Sequence, residues 1–377
     1  MKDLILFIKI SNCSQFSAKI LTKVLFTRLT LRKQQINYKH TLMNKLKTSY
    51  MGISLDNPVI LGASNLATDL DNLRKAEEFG IGAIVYKSLF EEQIQLESFQ
   101  LDERMNEFND LNAEMVQVHP NLEHAGPEEH LYSLRKAKES LSVPLIASLN
   151  AINNSTWVKY AKLLSETGVD GLEINFYQIP LDPNITAKEI EDAQVNTLKE
   201  IRKSISIPIS VKLSSDYSNI LNFTGRLDRA GANALVLFNS FFQPDIDIHS
   251  ERHIKTSHLS NEGDYKKSLR YAGLLYGNIK ADICSSLGVL TGEDVIRLLL
   301  SGATCVQVVS AVYKNGLSQI EIIRKEIEDW MDSKNYNSIE EFRGKLSRHS
   351  LSNNPFIYKR AQYVDLLLNS EEIFSGT

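Results

Sequence analysis

The chain has 377 residues, 43% of them hydrophobic and 23% charged, with a formal net charge of −4. Such a length admits one large domain with extensions, or two smaller ones. Three cysteines without metal-ligand spacing, and no apolar run near the ~18 residues of a spanning helix, argue against a disulfide scaffold, a zinc module and a helical membrane protein.

The charge is unevenly distributed. Residues 1–50 carry ten Lys/Arg against one acid, Asp3, which leaves 32 basic and 45 acidic residues over the rest. So acidic a body is not that of a nucleic-acid binder. The basic stretch admits three readings: an upstream start with Met43 as the true beginning, an amphipathic membrane-surface segment, or a transit-type peptide. Contact with a membrane is expected only under the second. Residues 1–48 are thus set apart as a basic extension, 49–346 as the folded body and 347–377 as a helical tail. Cys284 and Cys305 lie in apolar runs and read as buried free thiols, so the expected location is the cytoplasm.

From residue 51 the chain alternates short β-branched runs with longer amphipathic ones. Strands are expected at 58–64, 82–88, 143–149, 170–175, 207–213, 232–239, 279–286 and 304–311. Helix-period segments follow each of them, the last being SQIEIIRKEIEDWMDS. Gly80, Gly168, Gly231 and Gly302 stand where left-handed helix stops are expected. The sequences ETGVDGLEI, RAGANALVL and LSGATCVQV read as the short helix-to-strand return of a parallel sheet. Eight such units predict an α/β fold, a (βα)8 TIM barrel. The competing doubly wound sheet would show a glycine-rich fingerprint after its first strand, and GASNLA is not one.

In such a barrel the functional groups sit at the C-terminal strand ends. Those ends carry Ala63 and Ser64; Lys87 and Ser88; Ser148 and Asn150; Asn175; Lys212; Asn239 and Ser240; Ser285 and Ser286; Val309 and Ser310. Lys87 and Lys212 each end a strongly apolar strand. A lysine there either snorkels to solvent or meets an anionic or electron-rich partner. The turns SSLGVLTGED and VVSAVYKNG open onto helix starts, whose backbone N–H groups suit a phosphate, though tight loops look the same.

On these residues the chain resembles the dihydroorotate dehydrogenase family of FMN-dependent barrels, over roughly residues 50–346. NPVILGAS, GIGAIVYKS, SVKL, LFNS, TGEDVIRLLLSGATCVQVVSAVYKNG and YNSIEEFRGKL appear in the family's order, the last resembling the signature of its final helix. The resemblance implies an FMN oxidoreductase of pyrimidine synthesis acting on a small-molecule CH–CH donor, with an electron acceptor that the sequence does not identify. A homodimer follows by analogy alone. It implies that Ala63, Ser64, Lys87, Ser88, Asn175 and Lys212 meet the flavin. Leu287, Gly288, Val309 and Ser310 would take its phosphate, and Lys87, Asn175, Asn239 and Ser240 would meet the substrate.

The departures concern catalysis. Where the family keeps Cys or Ser as base, this chain has Gln178, in NFYQIP, and a glutamine cannot accept the proton at neutral pH. The family's phosphate turn GTGG is SSLG here. A longer loop brings His119, His124 and His130 near the expected mouth, and His119 is the leading replacement base, with Tyr177 next. Two other readings stay open. One is a flavin- or phosphate-binding barrel without redox turnover; the other is a lyase or aldolase using Lys212 as a Schiff base.

Overall fold

Alternation along each strand decides which side chains meet inside a closed ring of strands and which face the surrounding helices. The computed structural model describes residues 44–95, 127–239, 244–254 and 259–351, with Tyr358, Lys359, Val364 and Leu368 of the tail. His119, His124, Ser240 and most of the expected tail helix lie outside the described residues. The chain divides into Met1–Lys45 and Leu46–Thr377, and the barrel belongs to the second unit.

Strands β1 (Thr48–Tyr50) and β2 (Ile53–Leu55) form an antiparallel hairpin. β3 (Val59–Leu61) is followed by α1 (Leu70–Glu78). β4 (Ala83–Val85) is followed by a short β5 (Leu89–Phe90) and by α2 (Pro127–Ser140). Next come β6 (Leu145–Asn150) with α3 (Asn154–Ser165), and β7 (Gly171–Phe176) with α4 (Ala187–Ser204). β8 (Ile209–Leu213) precedes α5 (Ile220–Ala230). β9 (Ala234–Leu237) runs through the hairpin β10 (Asp245–Asp247) and β11 (Arg252–Ile254) to α6 (Tyr265–Leu275). β12 (Asp282–Ser285) precedes α7 (Gly292–Ser301), and β13 (Cys305–Val308) precedes α8 (Ser310–Asn315) and α9 (Gln319–Ser333).

Strands β3, β4, β6, β7, β8, β9, β12 and β13 pair in parallel in that order, and β13 returns to β3 through Val306 opposite Val59. The ring is closed, so the fold is the expected (βα)8 barrel. Each expected strand is present, most of them shortened, with β7 shifted by one residue from the expected 170–175. The helices start where their caps dictate: Asp69 accepts from Asp71 and Asn72 N–H, while Thr186 with Glu189 and Thr291 with Asp294 form capping boxes. The four glycine stops all have positive φ.

Two apolar layers follow from the alternation. Outward residues such as Leu172, Ile174, Val211 and Leu213 pack beneath the helices. Inward residues Ile60, Val85, Ile146, Val236, Cys284 and Cys305 pack with Tyr50, Met51 and Leu55 of the β1–β2 hairpin, which closes the N-terminal end of the barrel. The Met51 N–H donates to Asp282, fixing that plug. Truncating the fully buried Leu55 to alanine would cost about 2–5 kcal/mol. With its lower end filled by side chains, the barrel leaves its polar interior at the C-terminal end.

Cys284 and Cys305 are opposite each other in adjacent strands, both buried and unbridged, as expected. YNSIEEFRGKL folds around a 3-10 turn, Ile339–Glu341, rather than a regular helix. Its Phe342 ring stacks with Trp330 and Tyr336, so it packs onto α9 as a cap. Among the described residues no helix is long and apolar enough to cross a membrane.

Candidate active site

In β7 and β8 the inward residues are Glu173, Asn175, Ser210 and Lys212, because Leu172, Ile174, Val211 and Leu213 face the helices. Lys212 is only 8% exposed. Its Nζ donates to Gln307 Oε1 at 2.9 Å and faces the Glu173 carboxylate at 3.5 Å. Gln307 Nε2 in turn donates to the other Glu173 oxygen at 2.5 Å. A charged lysine can sit this deep because a carboxylate and an amide oxygen surround it. Residues of the neighbouring strands β7 and β8 and of β13, across the ring, thus converge on one ammonium group.

Near this network, Asn239 Nδ2 donates to Asn175 Oδ1 at 3.1 Å, a bond that uses neither the Asn175 amide N–H nor the Asn239 side-chain carbonyl. The adjacent Leu237–Phe238 peptide is cis. Ser88 and Ser148 hydroxyls pair at 2.7 Å in the interior. Lys87 follows β4, half-buried, and its backbone N–H donates to the Ala67 carbonyl at 3.5 Å. Ser64 and Ser285 hydroxyls are buried without a protein partner.

The two turns form one rim. Leu287 and Gly288 both have positive φ, 72° and 63°. A Cβ on Gly288 would stand 2.5 Å from the backbone nitrogen of Tyr265, so glycine is required there by contact as well as by φ. Across the rim, a Cβ on Gly62 would meet Val309 at 2.8 Å. Ser310 Oγ accepts from Ser260 N–H at 2.8 Å, and Lys314 donates to the Ser260 carbonyl, folding the segment before α6 against α8. SSLG keeps one glycine where it counts, and leucine takes the other left-handed position.

The remaining sequence candidates separate. Tyr177 is half-buried, and its N–H turns back to the Asn175 carbonyl at 2.9 Å. Gln178 is exposed and lines a cleft of about 190 Å³ with Pro180, Glu191, Gln194, Ser214 and Tyr217, between the segments that follow β7 and β8. Of the three loop histidines His130 alone is among the described residues; it is half-buried in the first turn of α2, and desolvation and then the charge of Lys87 bring its pKa down to about 4. Glu173 and Gln307 escaped the sequence reading, because an inward Glu or Gln in mid-strand carries no motif of its own. The alternation of LEINF and CVQV was the available signal.

A parallel barrel closed at its N-terminal end, with polar strand tips at its C-terminal mouth and a paired lysine inside, defines a (βα)8 protein whose functional groups gather at the C-terminal strand ends. The family model for dihydroorotate dehydrogenase matches residues 45–331, and the chain belongs to that family. It is 26% identical over 318 residues to the dihydroorotate dehydrogenase B (NAD(+)) catalytic subunit of Thermoplasma acidophilum, covering 81% of this chain and 100% of that one. The catalytic subunit of the same name from Methanocaldococcus jannaschii is 26% identical over 310 residues, covering 79% and 97%. That from Methanosarcina acetivorans is 28% identical over 304 residues, covering 78% and 93%.

Proposed function

We propose that the chain is an FMN-dependent oxidoreductase acting on the CH–CH bond of dihydroorotate or a related cyclic acid, in pyrimidine synthesis. The observation that carries the reading is Lys212, held inside the barrel against Gln307 and the Glu173 carboxylate. A fixed positive group in a dry site suits charge that develops during reaction. The residues also fit the cofactor. The Gly288 turn admits no Cβ, the buried Ser64 and Ser285 hydroxyls lack partners, and the rim N–H groups of Leu287, Gly288, Val309 and Ser310 could hold a phosphate.

FMN, when bound, supplies the two-electron chemistry. In this reading Lys212 presents its charge toward the pyrimidine edge of the ring, Lys87 meets ring and substrate, and Asn175 with Asn239 orients the substrate by the amide groups left free. Gln178 does not accept a proton at neutral pH, so in this reading the proton acceptor is another group. His119 and Tyr177 remain the candidates. Engagement of Lys212 with two partners speaks against a Schiff-base role, which needs a neutral amine. A cytoplasmic setting fits the two free thiols.

Absorbance of the purified protein tests this. A flavin spectrum bleached anaerobically by dihydroorotate is expected. A flavin spectrum left unbleached removes the named substrate. Colourless protein that takes up no FMN removes the flavin reading.

A further inference from the structure

Gln307 meets Lys212 and Glu173 with a single amide. Its Oε1 accepts from Lys212 Nζ at 2.9 Å, and its Nε2 donates to Glu173 Oε2 at 2.5 Å. Only this orientation sets an acceptor against the ammonium and a donor against the carboxylate. Packing confines the amide as well. Gln307 is 2% exposed, and a Cβ on Gly62, which follows β3, would stand 3.3 Å from its Oε1.

The lysine and the carboxylate do not close on each other. Lys212 Nζ and Glu173 Oε1 stand 3.5 Å apart, beyond the roughly 2.7–2.9 Å of a charge-assisted hydrogen bond. That oxygen is buried and has no hydrogen-bond partner among the described residues. Opposite charges attract strongly in a dry interior, so the gap needs a restraint. The Gln307 amide supplies one, holding the far carboxylate oxygen with one end and Nζ with the other. An ammonium has three donors, and this arrangement spends one of them on Gln307 and none in a bond to Glu173.

We propose that Gln307 is a positioning residue, a spacer that holds the Glu173 carboxylate off Lys212 and so keeps the ammonium available to an electron-rich ligand edge. The proposal rests on the reading of Lys212 as the group that faces the flavin. Gln307 acts through the lysine and touches no ligand itself. Loss of its amide lets the carboxylate close on Nζ, which takes up a donor and offsets the lysine's charge. Reduced FMN, the more electron-rich form, loses more by this than oxidised FMN does.

The test uses the full chain with FMN, whose uptake is read by absorbance and whose midpoint potential in the protein is read by titration against dyes of known potential. Gln307→Met, of similar length but without hydrogen bonds, is expected to lower the potential by about 30 mV or more. That equals a tenfold loss of preference for reduced over oxidised FMN. Adding Glu173→Gln removes the carboxylate that closes on Lys212, so the double variant is expected to return to the wild-type potential or above it. Glu173→Gln alone, nearly isosteric, is expected to raise the potential. Where Gln307→Met does not fold, Gln307→Asn, one methylene too short to span both groups, takes its place. A Gln307 variant with the wild-type potential overturns the spacer role, whatever its melting temperature, and leaves the flavin reading intact. An unchanged potential in Glu173→Gln does the same. A double variant as low as the single one also overturns it, because the loss then does not pass through Glu173. Failure of wild type to take up FMN overturns the flavin reading, and this inference with it.

Discussion

Lys212 and Glu173 face each other inside the barrel at 3.5 Å, each also bonded to the one amide of Gln307. Replacing Lys212 by methionine strands the Glu173 carboxylate in the interior, a change that costs about 3–5 kcal/mol. Adding Glu173→Gln is expected to recover much of that loss, measured by denaturant titration. In single-turnover flavin reduction, Lys212→Ala is expected to be impaired far more than His119→Ala. An equal or reversed order would contradict the assigned roles.

Gln178, which the resemblance sets at the position of the family's base, is exposed in the cleft between the segments that follow β7 and β8. Gln178→Ala is therefore expected to change the rate of anaerobic flavin reduction by less than about twofold, since a glutamine offers no proton acceptor. A loss of tenfold or more would show that the side chain turns inward when ligand binds.

Gly288 combines φ of 63° with a Cβ position 2.5 Å from Tyr265 N. Gly288→Ala is expected to push the turn off α6 and weaken FMN binding by roughly tenfold or more, as read by quenching of flavin fluorescence. Unchanged affinity would place the phosphate elsewhere.

Glu91 is nearly fully buried, 2% exposed, and joins the β5 end to the start of α3. Its carboxylate accepts from the N–H groups of Ile152 and Asn153, from the Asn153 amide and from Thr156. Burial alone would raise its pKa, but these hydrogen bonds together bring it below the ordinary glutamate value. Glu91→Ala is expected to cost about 2–3 kcal/mol in chemical denaturation. A folded pKa below the unfolded one means that this stability is complete above the unfolded value and is lost as pH falls through the folded one. Wild type should therefore lose more stability than Glu91→Ala on acidification below about pH 4.5.

His130 gives a second pH signature. Burial, then the charge of Lys87, lower it from the ordinary histidine value to about 4. Tyr86 and Glu129 are the other titratable groups beside it. Between about pH 6.5 and 4 the unfolded chain binds a proton that the folded one does not, so stability falls with pH across that window. His130→Phe is expected to flatten melting temperature against pH there. An unchanged slope would mean that the imidazole is solvated.

Much of the scaffold was legible because it rests on local periodicity. TAKEIEDAQVNTLKEIRKSI declares both its apolar face and its Thr186 capping box, and α4 runs from Ala187 to Ser204. The strand tips were legible for the same reason, and Lys87, Asn175 and Lys212 were found by position alone. The β1–β2 hairpin was not. TSYMGISL has no strong pattern, and its strands exist because Tyr50, Met51 and Leu55 fill the open end of a barrel built by residues further along.

The sequence by itself determined a parallel (βα)8 barrel, since hydrophobic period and glycine stops act between near neighbours. It also ordered the strand tips and pointed to two lysines among them. Only the tertiary structure decided which polar residues meet. Glu173 and Gln307 are 134 positions apart and share a hydrogen bond because ring closure brings β7 and β13 to face one another across the interior. Likewise Asn239 and Asn175, 64 positions apart, share a hydrogen bond, and the Tyr86 ring meets His130 of α2 edge-on. Such encounters depend on closure and on side-chain direction, which no local pattern in the chain encodes.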